Sequence, residues 1–502
     1  MTSQLETVFE SIFIHAERRP GHPALIAGDR VVSYRELKEL VASIAGGLRQ
    51  SGVQTGERIC VETHDPIDHF AASVAVMLHG GTSVALPNDS AESYEAVLND
   101  AQPRLVITNG VRRFEVHKLS NARSAEELLS VGERCPASLR QPSAEDIAMI
   151  YYTSGTSSGV RKGVLQSYRA LSATGRYICE VMQLDENVVE YVASPIDNAF
   201  WFGRCRVLAR VGGTALLSTG NLNPLNVLSA LRQHGGNCIA GDTPIFVLFL
   251  HHMSARFRAL GPQIRWAKVA SQAMSIEDKR ALQEHLPNAR IIMNYGLTEA
   301  MRCCLLPFED YPDKLGSVGR PSPGVSVRVV SDKRQVVLPG ELGEIEVSGD
   351  NVASGYLNQE ELWRSRFHDG WYATADLGYV DGDGFVFVLG RNDEAINVGG
   401  RKVAPNEVEV QLRKLIPGRR LGVFAIPDPA RVLGDVVAMA IEGVEKPDFV
   451  WQEFRIHLFE LMPSSNVPRE AFLALELPMT TNGKVKRRVL SEMAAAGELI
   501  KL

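Results

Sequence analysis

Ahead of Gly316, short apolar runs alternate with helical stretches, and this alternation restricts the fold more than any other feature of the chain. A helical segment opens the sequence, followed by two apolar runs around Gly28-Asp29. A second helix is expected from Tyr34 to Gln50, stopped by Gly52. Then come the strand-like ERICVET, a helix from Asp65 to His79 and a strand-like TSVALP. The pattern returns in GNCIAGDTP and ARIIMNYG. Strands alternating with helices build a parallel sheet with helices on both faces. Past Gly316, the runs VSVRVVSD, GEIEVSG and GYVDGDGFVFVLG read as antiparallel strands, with DGDG at 381–384 as a hairpin turn. After Arg391 a smaller region follows. It holds a Gly-Gly hairpin, a helix from Pro405-Asn406, the runs GVFAIPD and VVAMAIEG, and a final helix. The domain boundary is expected at Arg391 to Glu394.

Length and charge narrow the function. At roughly 100–200 residues per domain, 502 residues make about three structural units. A net charge of −6 gives no global attraction to nucleic acid or an anionic membrane, so an anionic ligand must be met by local positive groups. The basic cluster Lys484, Lys486, Arg487 and Arg488 lacks the interleaved aromatics of a nucleic-acid surface. Seven scattered cysteines show no paired metal-ligand spacing and read as reduced thiols. The acidic start MTSQLETVFESIF does not read as a signal peptide, and the stretch Phe70 to Leu78 is too short to span a bilayer. The expectation is a cytoplasmic protein that does not insert into membranes.

Five runs carry chemistry. The first is YTSGTSSGVRKGV, Tyr152 to Val164. Its glycines and hydroxyl residues can wrap N–H and O–H donors around phosphate oxygens, with Arg161 and Lys162 supplying charge. It lacks the spacing of a P-loop, and alone it also suits a flexible surface loop. The second, NYGLTEA at 294–300, follows a strand, where α/β sheets place ligands; alone it also reads as a capped turn. It offers a ring on Tyr295, a hydroxyl on Thr298 and a hard oxygen on Glu299. The third, WYATADLGYVDGDG, contains Asp376, which could accept two ribose hydroxyls. The fourth, GRNDEAINVGGRKVAPNEVE, holds Arg391 and Asp393 at the boundary. The fifth, PMTTNGKVKR, presents Lys484 on a glycine turn, or is a solvated basic tail.

In this order and with these separations, the five runs resemble the adenylate-forming superfamily of acyl-CoA synthetases, adenylation domains and luciferases. Supporting stretches are GSVGRP, GELGEIEVSG and LKELVASIAGGLRQSGVQTGERICV. The resemblance covers essentially the whole chain and is strongest to an acyl-CoA ligase. It implies a large α/β N-terminal domain, residues 1–390, of two parallel-sheet αβ subdomains plus a small antiparallel β-barrel. A hinge at 391–394 would join it to a small mobile α+β C-terminal domain, residues 395–502. It implies ATP/AMP and Mg2+ as cofactors and coenzyme A as co-substrate. The other ligands would be a carboxylic acid or acyl-adenylate, with a phosphopantetheinyl carrier protein as the alternative thiol, and the chain a monomer or homodimer. Thr153, Ser154, Gly155, Thr156, Ser157, Ser158, Gly159, Arg161 and Lys162 would hold the β- and γ-phosphates. Thr298 would hold the α-phosphate and Glu299 the Mg2+, with Tyr295 stacked on the adenine and Gly296 also binding the nucleotide. Asp376 would hold the ribose with Arg391 assisting, and Lys484 would bridge carboxylate and α-phosphate. Asp393 matches the hinge, and Gly399-Gly400 the lining of the thiol channel.

The chain also departs from the family pattern. The phosphate loop TSGTSSGVRKG is one residue longer than usual and has Arg161 where proline stands; Arg161 could add phosphate affinity or misplace Lys162. Ser167-Tyr168 replace a Thr-His pair, Ala375 replaces the glycine of a TGD run, and Asn397 stands where lysine is common. In the acid-pocket segment SPIDNAFWFG, Asn198 or Asp197 takes the place of a histidine; Asp197 could bind a substrate amine or simply form a turn. The aromatic cluster around Trp201 suits a bulky apolar acid or a plain core. Three readings stay open: an acid–thiol ligase making acyl-CoA, an adenylation enzyme loading a carrier protein (possibly with an amino acid), and a ligase that mainly thioesterifies a preformed acyl-AMP.

Overall fold

A computed structural model describes residues 5–86, 90–108, 121–132, 141–153, 161–219, 222–270, 273–399, 401–428, 430, 432–443, 445, 450–479 and 485–502, without the side chains of Val131 and Asp393. The chain packs as two compact units, one of residues 1–327 and 347–372, the other of residues 328–346 and 373–502. Residues 391–394 fall inside the second unit, where Asn392–Glu394 form a 3-10 turn.

The first unit holds two mixed sheets. One has nine strands in the order Arg320–Pro321, Cys304–Pro307, Arg290–Tyr295, Trp266–Ala270, Cys238–Asp242, Val189–Ala193, Thr214–Leu217, Pro23–Ala27 and Arg30–Ser33. Its six central strands, Arg290–Tyr295 to Pro23–Ala27, run parallel, and antiparallel strands close both edges. The other has seven strands in the order Gly355–Tyr356, Lys162–Ser167, Ile147–Thr153, Thr82–Ala85, Arg58–Glu62, Leu105–Thr108 and Ala122–Ser124. Again the interior is parallel, while Lys162–Ser167 returns antiparallel to Ile147–Thr153. The strands are nearly continuous apolar runs because helices cover both faces.

The helices stand where their caps put them. Ser33 and Glu36 form a reciprocal capping box before Tyr34–Gln50, and Gly52, in a left-handed conformation at φ 75°, follows its end. Asp65 caps Pro66–His79 through the N–H groups of Ile67 and Asp68, and Gly80 ends it left-handed. That helix is buried nearly all round, which explains its apolar run without a membrane. Among the described residues no helix is long and apolar enough to cross a bilayer. The six described cysteines are all free thiols.

A curled, half-barrel sheet of five strands accounts for the change of texture after Gly316: Val325–Val330, Gly343–Gly349, Trp371–Val380 and Phe367–His368, with Val386–Arg391 also pairing to Trp371–Val380. The DGDG turn joins Trp371–Val380 to Val386–Arg391, with Gly384 N–H donating to the Asp381 carbonyl at 3.0 Å.

In the second unit, Leu421–Pro427, Asp435–Glu442, Glu470–Ala474 and Ile500–Lys501 make a four-stranded sheet. Its period-two pattern separates two cores. Leu421, Val423, Val437, Met439 and Ile441 pack with Val408 and Leu412 of the helix Pro405–Leu415. Phe424, Ile426, Val436, Ala438 and Ala440 pack with Leu490 of the helix Arg487–Ala496. The helix Trp451–Leu461 and strand Glu470–Ala474 lay beyond the sequence reading, because their mixed patterns give neither a clean 3.6 nor a clean 2 period.

Inside the first unit, Arg204 and Glu190 are both fully buried and form a two-pronged ion pair, with Arg204 Nε donating to Glu190 Oε1 at 2.7 Å and Nη2 to Oε2. The Cys238 thiol adds a donor to Oε2 at 2.9 Å. Glu190→Gln strands the guanidinium charge in the core and is expected to cost about 3–5 kcal/mol. The joint replacement Glu190→Leu with Arg204→Met is expected to be far milder. Urea unfolding midpoints of the two variants test this, and equal losses would overturn it.

Candidate functional site

The strand Arg290–Tyr295 ends in a tight turn that carries the second chemistry-bearing run. Leu297 N–H donates to the Ala300 carbonyl at 3.0 Å. Gly296 is required here: a Cβ would lie 2.5 Å from the Arg302 backbone nitrogen. Tyr295, the last residue of the strand, and Thr298 beyond it are half-buried, and Glu299 is 9% exposed. The Thr298 carbonyl accepts from Gln166 Nε2 at 2.5 Å, which fastens the turn to the hairpin strand Lys162–Ser167.

The hairpin Ile147–Thr153 and Lys162–Ser167 sets Thr153 opposite Lys162, so the two ends of the Gly/Ser run face one another. Residues 154–160, with Ser154, Gly155, Thr156, Ser157, Ser158 and Gly159, lie outside the described residues. The short strand Gly355–Tyr356 pairs antiparallel with Lys162–Ser167, and its Tyr356 ties the pieces together. The Tyr356 hydroxyl donates to Glu299 Oε1 at 2.8 Å and shares a 2.9 Å hydrogen bond with the Tyr372 hydroxyl. Lys162 Nζ sits 5.5 Å from the Tyr356 ring centroid. Burial, and then the Glu299 charge, push the Tyr356 phenol well up, so it stays a donor. Arg161 donates through Nη2 to the Ser93 hydroxyl at 2.9 Å, and its carbonyl accepts from Gln359.

In the segment SPIDNAFWFG, Asp197 lies half-buried in a turn and Asn198 caps the helix Ala199–Val211 through the Phe200 and Trp201 N–H groups. The Trp201 ring is 2% exposed and packs edge-on against His69 and Phe70.

The second unit carries the remaining residues. Asp376 and Arg391 are cross-strand partners, with Arg391 Nη1 donating to Asp376 Oδ1 at 3.2 Å and to the Thr374 carbonyl at 3.1 Å. Ala375 between them adopts φ 60°, and its N–H donates to Glu344 Oε1 at 3.0 Å. Arg391 has extended dihedrals and leads into the 3-10 turn that holds Asp393. Asn397 lies exposed opposite Lys402, whose ammonium donates to Asn392 Oδ1 at 2.8 Å. Gly399, at φ 58°, turns between Ile396–Val398 and Arg401–Val403, and a Cβ there would meet Leu433 at 2.8 Å. Gly400 and Lys484 lie outside the described residues. Met479 and Val485 pair across the segment that holds Lys484, and Lys486 N–H donates to the Pro478 carbonyl at 2.7 Å.

Sequence reasoning missed Tyr356, Gln166, Lys268 and Arg302. Tyr356 lies 57 residues from Glu299, and no local pattern joins them. A lysine within the otherwise apolar strand Trp266–Ala270 was a signal that could have been used.

Residues 12–357 match a family described as AMP-binding enzyme. The chain is 25% identical over 502 residues to the oxalate–CoA ligase of Arabidopsis thaliana, covering 95% of this chain and 96% of that protein. Among solved structures it is similar to ATP-bound MatB from Rhodopseudomonas palustris, with a TM-score of 0.84, 24% identity and coverage of 97% and 98% of the two chains. It is also similar to the o-succinylbenzoate CoA synthetase of Bacillus subtilis in complex with its acyl-adenylate intermediate, with a TM-score of 0.81, 23% identity and coverage of 97% and 98%. At these identities the two structures establish the fold.

The left-handed Ala375 gives a direct test. A β-branched residue at positive φ is a strong outlier, so Ala375→Val is expected to lose about 2 kcal/mol or more, while Ala375→Gly stays within about 1 kcal/mol of the parent. Thermal unfolding midpoints check the contrast, and equal midpoints for the two variants would refute it.

Proposed function

Because this chain belongs to the AMP-binding enzyme family, we propose that it is an acid–thiol ligase that forms an acyl-CoA from a carboxylic acid, ATP and coenzyme A through an acyl-AMP intermediate. The observation that carries the reading is the junction at Tyr356, where buried Glu299 and Lys162 of the Gly/Ser hairpin meet one side chain. The names of the Arabidopsis and Bacillus relatives describe enzymes that join an acid to CoA, which supports the same thiol acceptor here.

In the first step a carboxylate oxygen attacks the α-phosphorus, and the bond to pyrophosphate breaks. Negative charge grows on phosphoryl oxygens, so fixed donors and cations lower the barrier. Thr153, Lys162 and the loop between them would grip the β- and γ-phosphates, and Thr298 would donate to the α-phosphate. Glu299 suits a hard divalent cation: one oxygen takes the Tyr356 hydroxyl, and the other has no protein partner among the described residues. A Mg2+ held there would offset charge on the triphosphate. Tyr295 would lie against the adenine, and Asp376, steadied by Arg391, would accept from the ribose hydroxyls. Lys484 would sit between two anions that otherwise repel. In the second step a thiol attacks the acyl carbon and AMP leaves. The turn at 391–394 would absorb the dihedral change between steps, and Gly399-Gly400 would line the thiol's path.

Running the half-reactions separately tests this. Lys484→Ala is expected to abolish acid-dependent pyrophosphate exchange while sparing thioester formation from supplied acyl-AMP; equal loss of both would remove the role given to Lys484. If the parent enzyme works only from supplied acyl-AMP, it is chiefly a thioesterification enzyme. Asp393→Pro, which fixes a backbone dihedral in the turn, is expected to slow thiol transfer more than exchange. Unchanged transfer would refute the hinge.

A further inference from the structure

Two buried cations stand beside the segment expected to bind the acid. Lys268, on the strand Trp266–Ala270, is fully buried. Its ammonium donates to Asn294 Oδ1 and, at 3.3 Å, to the Val269 carbonyl, and lies 5.7 Å from the Phe200 ring centroid. Arg302 is 6% exposed, and no carboxylate is among the charged groups of the described residues that act on its guanidinium. That guanidinium lies against Gly203, where a Cβ would fall 2.8 Å from Nη2. Phe200 and Gly203 are three apart on the helix Ala199–Val211 and share one face. Lys268 and Arg302 therefore border the same helical face, just after the Asn198 cap. Asn294 and Arg302 also flank the Tyr295–Glu299 turn in sequence.

The neighbouring charges do not answer these two. Glu190 is taken by Arg204 and Cys238. Arg206 donates through Nη1 to the Leu171 carbonyl and through Nη2 to the Thr174 hydroxyl, while its buried Nε has no hydrogen-bond partner among the described residues. The fields of Glu190 and Asp242 reach Lys268, yet neither forms an ion pair with it. Burial pushes the Lys268 ammonium well down, and burial with the Arg206 and Arg204 charges pushes Arg302 down to about 9. A buried charge without a counter-charge is strongly unfavourable, and an anionic ligand removes that penalty when it binds.

We propose that Lys268 and Arg302 form the far wall of the acid pocket and select an acid that bears a second anionic group, such as a dicarboxylate. The proposal rests on the acid-activating reading for the location of the first carboxylate. It replaces the expectation of a bulky apolar acid with one that carries charge at both ends. Asn294 is the positioning residue, since it holds the Lys268 ammonium.

The test uses the full chain and matched probes: α,ω-dicarboxylates from oxalate to adipate and the three phthalates, each beside its monomethyl ester. Binding is read by calorimetry with AMP present, and turnover by thioester formation with ATP and CoA. At least one diacid is expected to bind ten times or more tighter than its half-ester. Lys268→Met and Arg302→Met should each cut that preference at least tenfold. No preference in either readout overturns the proposal, and so does a preference that both variants keep. Diacid binding without thioester formation keeps the pocket and removes the ligase reading. Thioesters formed equally from half-esters and diacids do the reverse. The parent enzyme's own preference decides the matter even if a variant fails to fold.

Discussion

Parallel strand pairing is the constraint on which the first unit depends. Parallel neighbours need a crossover between them, so their carboxyl ends gather on one edge of the sheet. Arg290–Tyr295, Trp266–Ala270, Cys238–Asp242 and Val189–Ala193 all end on the same edge. The segments that leave this edge include the Asp197–Asn198 turn and the Tyr295–Glu299 turn. Residues a hundred positions apart therefore share a neighbourhood without any local signal between them. Backbone pairing, satisfied within the sheet, does the positioning, and the side chains at the strand ends are left to chemistry.

Much of this was legible in the sequence. The helices Tyr34–Gln50 and Pro66–His79 follow from period and cap residues, because the capping groups Ser33, Glu36 and Asp65 act within three residues of the backbone they serve. The antiparallel turn at 381–384 was legible for the same reason. The closing strand Gly355–Tyr356 was not: two residues are too few for a period, and only pairing with Lys162–Ser167 makes them a strand.

The site was legible as a set of residue types and illegible as a network. The run NYGLTEA announces a hydroxyl, a ring and a carboxylate, but not that Glu299 is met by Tyr356. Arg161 reads from sequence as a phosphate group's partner, while its guanidinium reaches Ser93, which no spacing rule connects to it. Asn198 reads from sequence as a pocket residue, and its amide oxygen is engaged by the N–H groups of Phe200 and Trp201. These contacts have one origin: a polar side chain answers the nearest unsatisfied group, and only the tertiary fold decides which group is nearest.

The crowding at Gly296 has a consequence for how such a protein can change. With 2.5 Å between a would-be Cβ and the Arg302 nitrogen, the turn after Arg290–Tyr295 admits no side chain at that point. Its path is fixed by backbone contact, and little of it can be reshaped without moving the strand. New ligand preferences must then be written in the side chains that look onto the turn from neighbouring strands and helices. A lineage could exchange one ligand for another by altering a few flanking residues, while the backbone of the turn stayed as it was.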